Sequence, residues 1–156
     1  MNVVVNTAPL LFLSRINRLP ILHKFGSIWT PEAVIAEIRD KQDEATGFVE
    51  QALKGLLIIK PVEDKNLLAV LTMELGIGEA EVITVAIEQK ADWVLLDDQD
   101  ARRYGLKVIG TLGLLAWARK KGFIGSLKQE IEKLCDAGIY ATDELVDGLL
   151  REAGEA

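Results

Sequence analysis

The sequence predicts a single α/β domain built around a parallel sheet. Short apolar runs at residues 2–5 and 93–96 lack the polar alternation of a half-exposed strand, which is the pattern of strands covered on both faces. Segments of helical periodicity separate the strand-like runs, as βαβ crossovers require. A length of 156 residues is that of about one domain, large enough to bury a core of its own.

The first strand, Asn2–Val5, ends at Asn6-Thr7-Ala8-Pro9. Pro9 suits the opening turn of a helix, where no amide donor is needed, and residues 10–16 supply its apolar stripe. Residues 27–29 read as a second strand. Thr30-Pro31 then offers a cap oxygen and a first-turn proline for a helix reaching about residue 39. Residues 43–54 carry helical spacing through Ala45, Phe48, Val49, Ala52 and Leu53 until Gly55. Between Gly55 and Pro61, residues 56–59 fit a strand or a helix tail, and the flanking Gly and Pro favour the strand. A short helix over 67–75 closes at Gly76. Residues 79–90 place Val82, Ile83, Ala86 and Ile87 on one stripe of an amphipathic helix. The strand at 93–96 runs into Asp97-Asp98-Gln99-Asp100, and a short strand at 107–109 leads through Gly110-Thr111 to a helix over 112–121. Ser126-Leu127-Lys128-Gln129 matches a capping box and Thr142 is placed to cap a last helix. Residues 1–125 therefore form the main α/β unit, with residues 126–156 as helices packed on or extending from it.

Composition narrows the function classes. No apolar run approaches the roughly 20 residues of a membrane-spanning helix, and the N-terminus lacks the pattern of an export signal, so a cytoplasmic location away from membranes is expected. Cys135 is the single cysteine, which excludes a disulfide framework or a thiolate zinc cage and reads as a buried helical residue. The 24 acidic and 18 basic residues give a formal charge of −6, which repels nucleic acid at long range and confines any nucleic-acid role to local or metal-mediated contact. The only histidine, His23, lies in a helical surface context with no nucleophile motif nearby. Gly76-x-Gly78 lacks the third glycine and the preceding strand of a dinucleotide fingerprint, and no Walker-type run exists. Basic groups at Arg15/Arg18/Lys24, Arg102/Arg103 and Arg119/Lys120/Lys121 read as solvated faces, with Arg102 and Arg103 of interest because they follow the acidic strand end.

Ligands of open parallel sheets bind beyond the carboxyl ends of the strands, which places Asn6 and the pair Asp97-Asp98 first among candidates. Carboxylate oxygens in such a crevice are the ligands preferred by Mg²⁺ or Mn²⁺, whereas Asp98 or Asp100 also suits the capping of a following short helix. At about 100° per residue, Glu79 falls between Val82 and Ile83 and so begins the inward face of its helix. A metal or buried donor would offset its desolvation, and the helix N-terminus favours an anion in any case. Glu81 lies roughly 200° away and groups with Val85 and Glu88 on the outward side. Glu37 lies about 60° beyond Val34, at the border of its apolar stripe and able to reach a cleft.

With these residues in view, the chain resembles the PIN domains, in particular a prokaryotic PIN-like subfamily of uncharacterised function. The resemblance rests on Val3-Val4-Val5-Asn6-Thr7-Ala8-Pro9-Leu10, Thr30-Pro31-Glu32-Ala33-Val34-Ile35-Ala36-Glu37-Ile38, Gly76-Ile77-Gly78-Glu79-Ala80-Glu81-Val82-Ile83, Val94-Leu95-Leu96-Asp97-Asp98 and Lys107-Val108-Ile109-Gly110-Thr111-Leu112-Gly113. It implies a three-layer, Rossmann-like parallel sheet and a metal-dependent endoribonuclease of the toxin type, using Mg²⁺ or Mn²⁺, acting on RNA, neutralised by a small antitoxin protein and forming a homodimer. The family's acidic quartet would fall on Asn6, Glu37, Glu79 and Asp97, with Asp98 a neighbour and Glu37, Glu79 and Asp97 the catalytic ligands. Asn6 departs from the usual aspartate, keeping a neutral oxygen donor but removing a charge. Thr7, Arg102 and Arg103 would contact the nucleic acid. Two rivals stand beside this reading: a catalytically silent PIN-like module acting through binding or dimerisation, and an unrelated doubly wound phosphoacceptor using Asp97 or Asp98.

Overall fold

The computed structural model describes residues 1–155, with the side chains of Gln99 and Asp100 outside that description. The expected capping role of Asp100 therefore lies beyond the described residues. The strands are β1 (Asn2–Val5), β2 (Ser27–Thr30), β3 (Leu57–Ile59), β4 (Trp93–Leu95) and β5 (Val108–Ile109). They form one five-stranded sheet in the order β3-β2-β1-β4-β5, with every pairing parallel. The helices are α1 (Thr7–Arg15), α2 (Ile21–Phe25), α3 (Glu32–Lys41), α4 (Glu44–Ala52), α5 (Lys65–Leu71), α6 (Ile77–Glu88), α7 (Thr111–Lys120), α8 (Leu127–Asp136) and α9 (Asp143–Glu152), with a 3-10 turn at Gln99–Tyr104. This is the three-layer, Rossmann-like architecture the sequence predicts.

Successive residues of a strand point to opposite faces, yet Val3, Val4 and Val5 are all fully buried. Both faces of the central strand are therefore covered, as an unbroken β-branched run requires. Helix α6 packs on β1 and β4, while α1 packs against α3, α4 and α7. The chain ends its first strand at Asn6 because β1 continues directly into α1, whose N-cap is Asn6 in extended conformation (φ −89°, ψ 176°). Pro9 sits inside the first turn of α1, two residues later than a proline opening the helix would.

Three local expectations are corrected. Thr30 does not cap α3: its hydroxyl is buried and donates to the Val5 carbonyl at 2.9 Å, tying β2 to β1. The cap oxygen comes from Glu81, whose Oε1 accepts from the Ala33 amide at 3.1 Å. Glu81 is thus half-buried between α6 and α3 rather than outward, because α6 is enclosed almost all round: Val85 is 0% exposed, whereas Ile87, expected on the inward stripe, is 36% exposed. Cys135 is helical but exposed, since α8 buries Leu127, Ile131 and Leu134 instead. His23 is exposed on α2, as a surface histidine should be.

The C-terminal helices are fastened by ion pairs that charge clustering did not reveal. Arg18 is not a solvated side chain; its guanidinium donates to the buried Glu130 of α8 at 2.6 and 3.0 Å. Ser126 and Thr142 cap α8 and α9 as expected, accepting from Gln129 and Leu145 amides at 3.3 and 3.2 Å. Glu155 closes the arrangement. Its carboxylate accepts from the Leu127 amide at 2.7 Å, the Lys128 amide at 3.2 Å, Ser126 Oγ at 3.0 Å and Arg119 Nε at 3.1 Å.

These bonds, the Leu127 amide foremost and partly opposed by desolvation, hold the Glu155 carboxyl below its ordinary pKa. A folded-state pKa below the unfolded value contributes stability above the unfolded pKa, and that contribution disappears as pH falls through the folded one. Glu155→Gln should therefore lower the melting temperature at neutral pH, with the gap to the parent closing in acid below the carboxylate range. Thermal melts of both proteins across pH check this, and a gap independent of pH would contradict it.

Candidate active site

The carboxyl edge of the sheet gathers side chains from distant parts of the sequence. The backbone N–H of Asn6 donates to Leu95 O at 3.0 Å, continuing the β1–β4 ladder one step past β1. Asn6 therefore sits beside the last residue of β4, which Asp97 follows two residues later. Thr7, the first residue of α1, is buried, and its hydroxyl donates to Glu37 Oε2 at 2.8 Å. That bond draws the Glu37 side chain from α3 back over the β1 end.

Gly78 lies in the first turn of α6, and a Cβ there would come within 3.2 Å of Glu37 Oε2. The glycine gives the carboxylate close access to the positive end of the α6 dipole. Glu79 follows, half-buried, with its Oε1 withdrawn from solvent. Its inward placement on α6 agrees with the helical spacing. Asn6, Thr7, Glu37, Gly78 and Glu79 line one cleft of about 470 Å³, which runs along α1 past Ala8, Leu11 and Phe12 to Arg15 and Lys41.

Asp97 is not among the residues lining that cleft. Its Oδ1 accepts from the Thr111 amide at 2.6 Å and its Oδ2 from the Thr111 hydroxyl at 2.8 Å, so it serves α7 in place of a side-chain cap that Gly110 cannot supply. Gly110 eases this approach, because a Cβ would stand 3.0 Å from Asp97 Oδ1 and the carboxylate would have to give by a few tenths of an ångström. Asp98 is exposed. Arg102 donates to Val108 O at 3.3 Å, and Arg103 pairs with Glu74 at 3.1 Å and Tyr104 at 3.0 Å, so both side chains are engaged on the protein itself.

Among the described residues, no three His, Cys, Asp or Glu side chains are grouped as a metal cluster. Asn6, Glu37 and Glu79 nevertheless offer an amide oxygen and two carboxylates to one cleft. That donor chemistry fits Mg²⁺ or Mn²⁺, since Mg²⁺ is commonly held by one or two carboxylates and keeps several waters.

A family model described as "DUF3368: PIN domain" matches residues 2–155. The chain belongs to the PIN domain family. No curated protein and no solved structure matches it significantly. Membership sets aside the reading as an unrelated phosphoacceptor and points to nuclease-type function in general, in a family whose members are generally dependent on a divalent metal. No helix of the described residues is long and apolar enough to cross a membrane.

Within this PIN domain, the candidate acids stand out in the sequence, whereas the donors that meet them do not. Gly76-x-Gly78 reads in the sequence as a failed dinucleotide motif and as part of the PIN-like resemblance, and neither reading shows that its second glycine lies against Glu37. Gly110-Thr111 reads as a lead into a helix and as part of the same resemblance, although Thr111 engages both oxygens of Asp97. Arg15 and Lys41, the cations of the cleft, carry no motif and become visible only when α1 and α3 pack together.

Thr111→Val keeps side-chain volume but removes the hydroxyl that meets Asp97 Oδ2. Because Asp97 is exposed and water can replace the donor, destabilisation of about 1 kcal/mol is expected in denaturant unfolding. An unchanged midpoint would show that this bond does not hold Asp97.

Proposed function

We propose that this PIN domain is a metal-dependent endoribonuclease of the toxin type, with Asn6, Glu37 and Glu79 as the ligands of Mg²⁺ or Mn²⁺ and Asp97 as a neighbouring carboxylate. The observation that carries the reading is the meeting of those first three side chains in one cleft at the carboxyl edge of a parallel sheet. A bound divalent ion supplies Lewis acidity toward a phosphate and makes a water more acidic. Thr7 restrains Glu37 through its 2.8 Å bond to Oε2, holding the carboxylate at the cleft. Glu79 brings a second negative charge at the start of α6, and Asn6 brings a neutral oxygen at the end of β1.

Because Asn6 replaces a negative ligand by a neutral one, the site attracts a cation less strongly than a fully acidic set would. The toxin-type reading also includes RNA as substrate, a small antitoxin partner and a homodimer. A second reading, a catalytically silent binding module, draws support from the same Asn6 amide and from the commitment of both Asp97 oxygens to Thr111.

RNA cleavage with and without Mn²⁺, together with a metal-dependent thermal shift, separates the two. The nuclease reading predicts Mn²⁺-dependent cleavage, a loss of at least about 100-fold in Glu79→Gln, and metal affinity raised about 10-fold or more in Asn6→Asp. Absence of both a thermal shift and cleavage in the parent and in Asn6→Asp would refute it and leave the binding module.

A further inference from the structure

The cleft has two chemically different ends. One holds Asn6, Glu37 and Glu79; the other holds Arg15, Lys41 and the half-buried ring of Phe12. Phe12 and Arg15 stand one turn apart on α1, with the guanidinium carbon 5.7 Å from the ring centroid. Lys41 stands one turn beyond Glu37 on α3, roughly 6 Å along the axis. Arg15 closes the cleft at the far end of α1, eight residues or about 12 Å beyond Thr7.

We propose that this α1–α3 flank seats the RNA strand beside the acidic end: Phe12 and the Arg15 guanidinium form a platform for one base, and Arg15 and Lys41 bind the adjoining phosphate. The proposal rests on the nuclease reading for the identity of the polymer. Arg102 and Arg103 do not line the cleft and are engaged with Val108, Tyr104 and Glu74, so the strand enters along α1 rather than across the 3-10 turn.

Charge selects the form of the ligand. A chain of net charge −6 with two cations at its cleft has no broad basic face to meet the dense phosphates of a duplex. An aromatic platform inside a cleft engages a base only when that base is unstacked, which a single strand permits. Arg15 also pairs with Asp43 at 3.2 Å, both side chains being more than a third exposed; an ion pair so exposed contributes little and yields readily to a phosphate.

The test is binding of a fluorescent short oligouridylate in EDTA, where cleavage cannot intervene, followed across salt concentration. Lys41→Gln should reduce the magnitude of the log–log salt slope by about 0.7, the share of one phosphate contact on a single strand. Phe12→Leu, which keeps an apolar side chain against the core, should weaken binding roughly 10-fold with the slope unchanged, and Phe12→Ala should do the same if its melting curve shows it folded. Unchanged affinity and slope in Phe12→Leu and Lys41→Gln would overturn the proposal, as would no binding by the parent at low salt. Displacement of the probe by polyglutamate as readily as by unlabelled RNA would overturn it in favour of an acidic protein partner. Cleavage by the parent with KM unmoved in these variants would sink the subsite and leave the nuclease standing. Loss of binding in the variants without any cleavage by the parent would support the subsite and refute the nuclease.

Discussion

Everything at the candidate site depends on the register of β1 between its two neighbours. Asn2 pairs with Ser27 on one side and Val3 with Trp93 on the other, and the Asn6 amide extends the ladder to Leu95. A slip of one residue would swap the faces to which the β1 side chains point, taking Asn6 away from Glu37 and Glu79 and misfitting a run that is packed on both sides. Full burial of Val3, Val4 and Val5 makes such a slip costly, so the hydrophobic core also positions the polar edge.

Carboxylates brought together repel one another and lose water, and the fold offsets this with donors that are already fixed. Glu37 receives the Thr7 hydroxyl and lies over the start of α6. Asp97 receives two bonds from Thr111 at the start of α7. Glu81 caps α3 through the Ala33 amide. In each case an acid from one element answers the amide or hydroxyl donors at the beginning of another helix, a favourable match of charge and dipole. The same feature explains why an amide at position 6 is compatible with the fold: it reduces repulsion without disturbing any backbone bond. Its consequence is borne by the affinity of the cleft for a cation.

Much of this was legible in the chain. Short apolar runs without polar alternation announced a doubly covered parallel sheet, and the inward phase of Glu79 on α6 was readable from helical spacing alone. Glu37 could be placed only at a border, because its reach is decided by Thr7, thirty positions away in sequence and adjacent in space. Glu81 and Val85 fall outward on the stripe of a half-exposed helix, whereas α6 is packed by α3, α5 and the sheet together. Arg18 and Arg119 looked like solvent-facing charge since their partners, Glu130 and Glu155, lie more than thirty residues further along the chain. Such pairings are tertiary facts without a local signature. Asp97 shows the same limit: strand-end position marked it as a ligand, but only the arrival of α7 reveals its engagement with Thr111.

The central claim is that Asn6, Glu37 and Glu79 form one cation site. Anomalous diffraction at the manganese edge from Mn²⁺-soaked crystals measures it directly. A peak in the cleft within coordination distance of those three side chains is the predicted result; a peak elsewhere, or none in crystals of both the parent and Asn6→Asp, would contradict it.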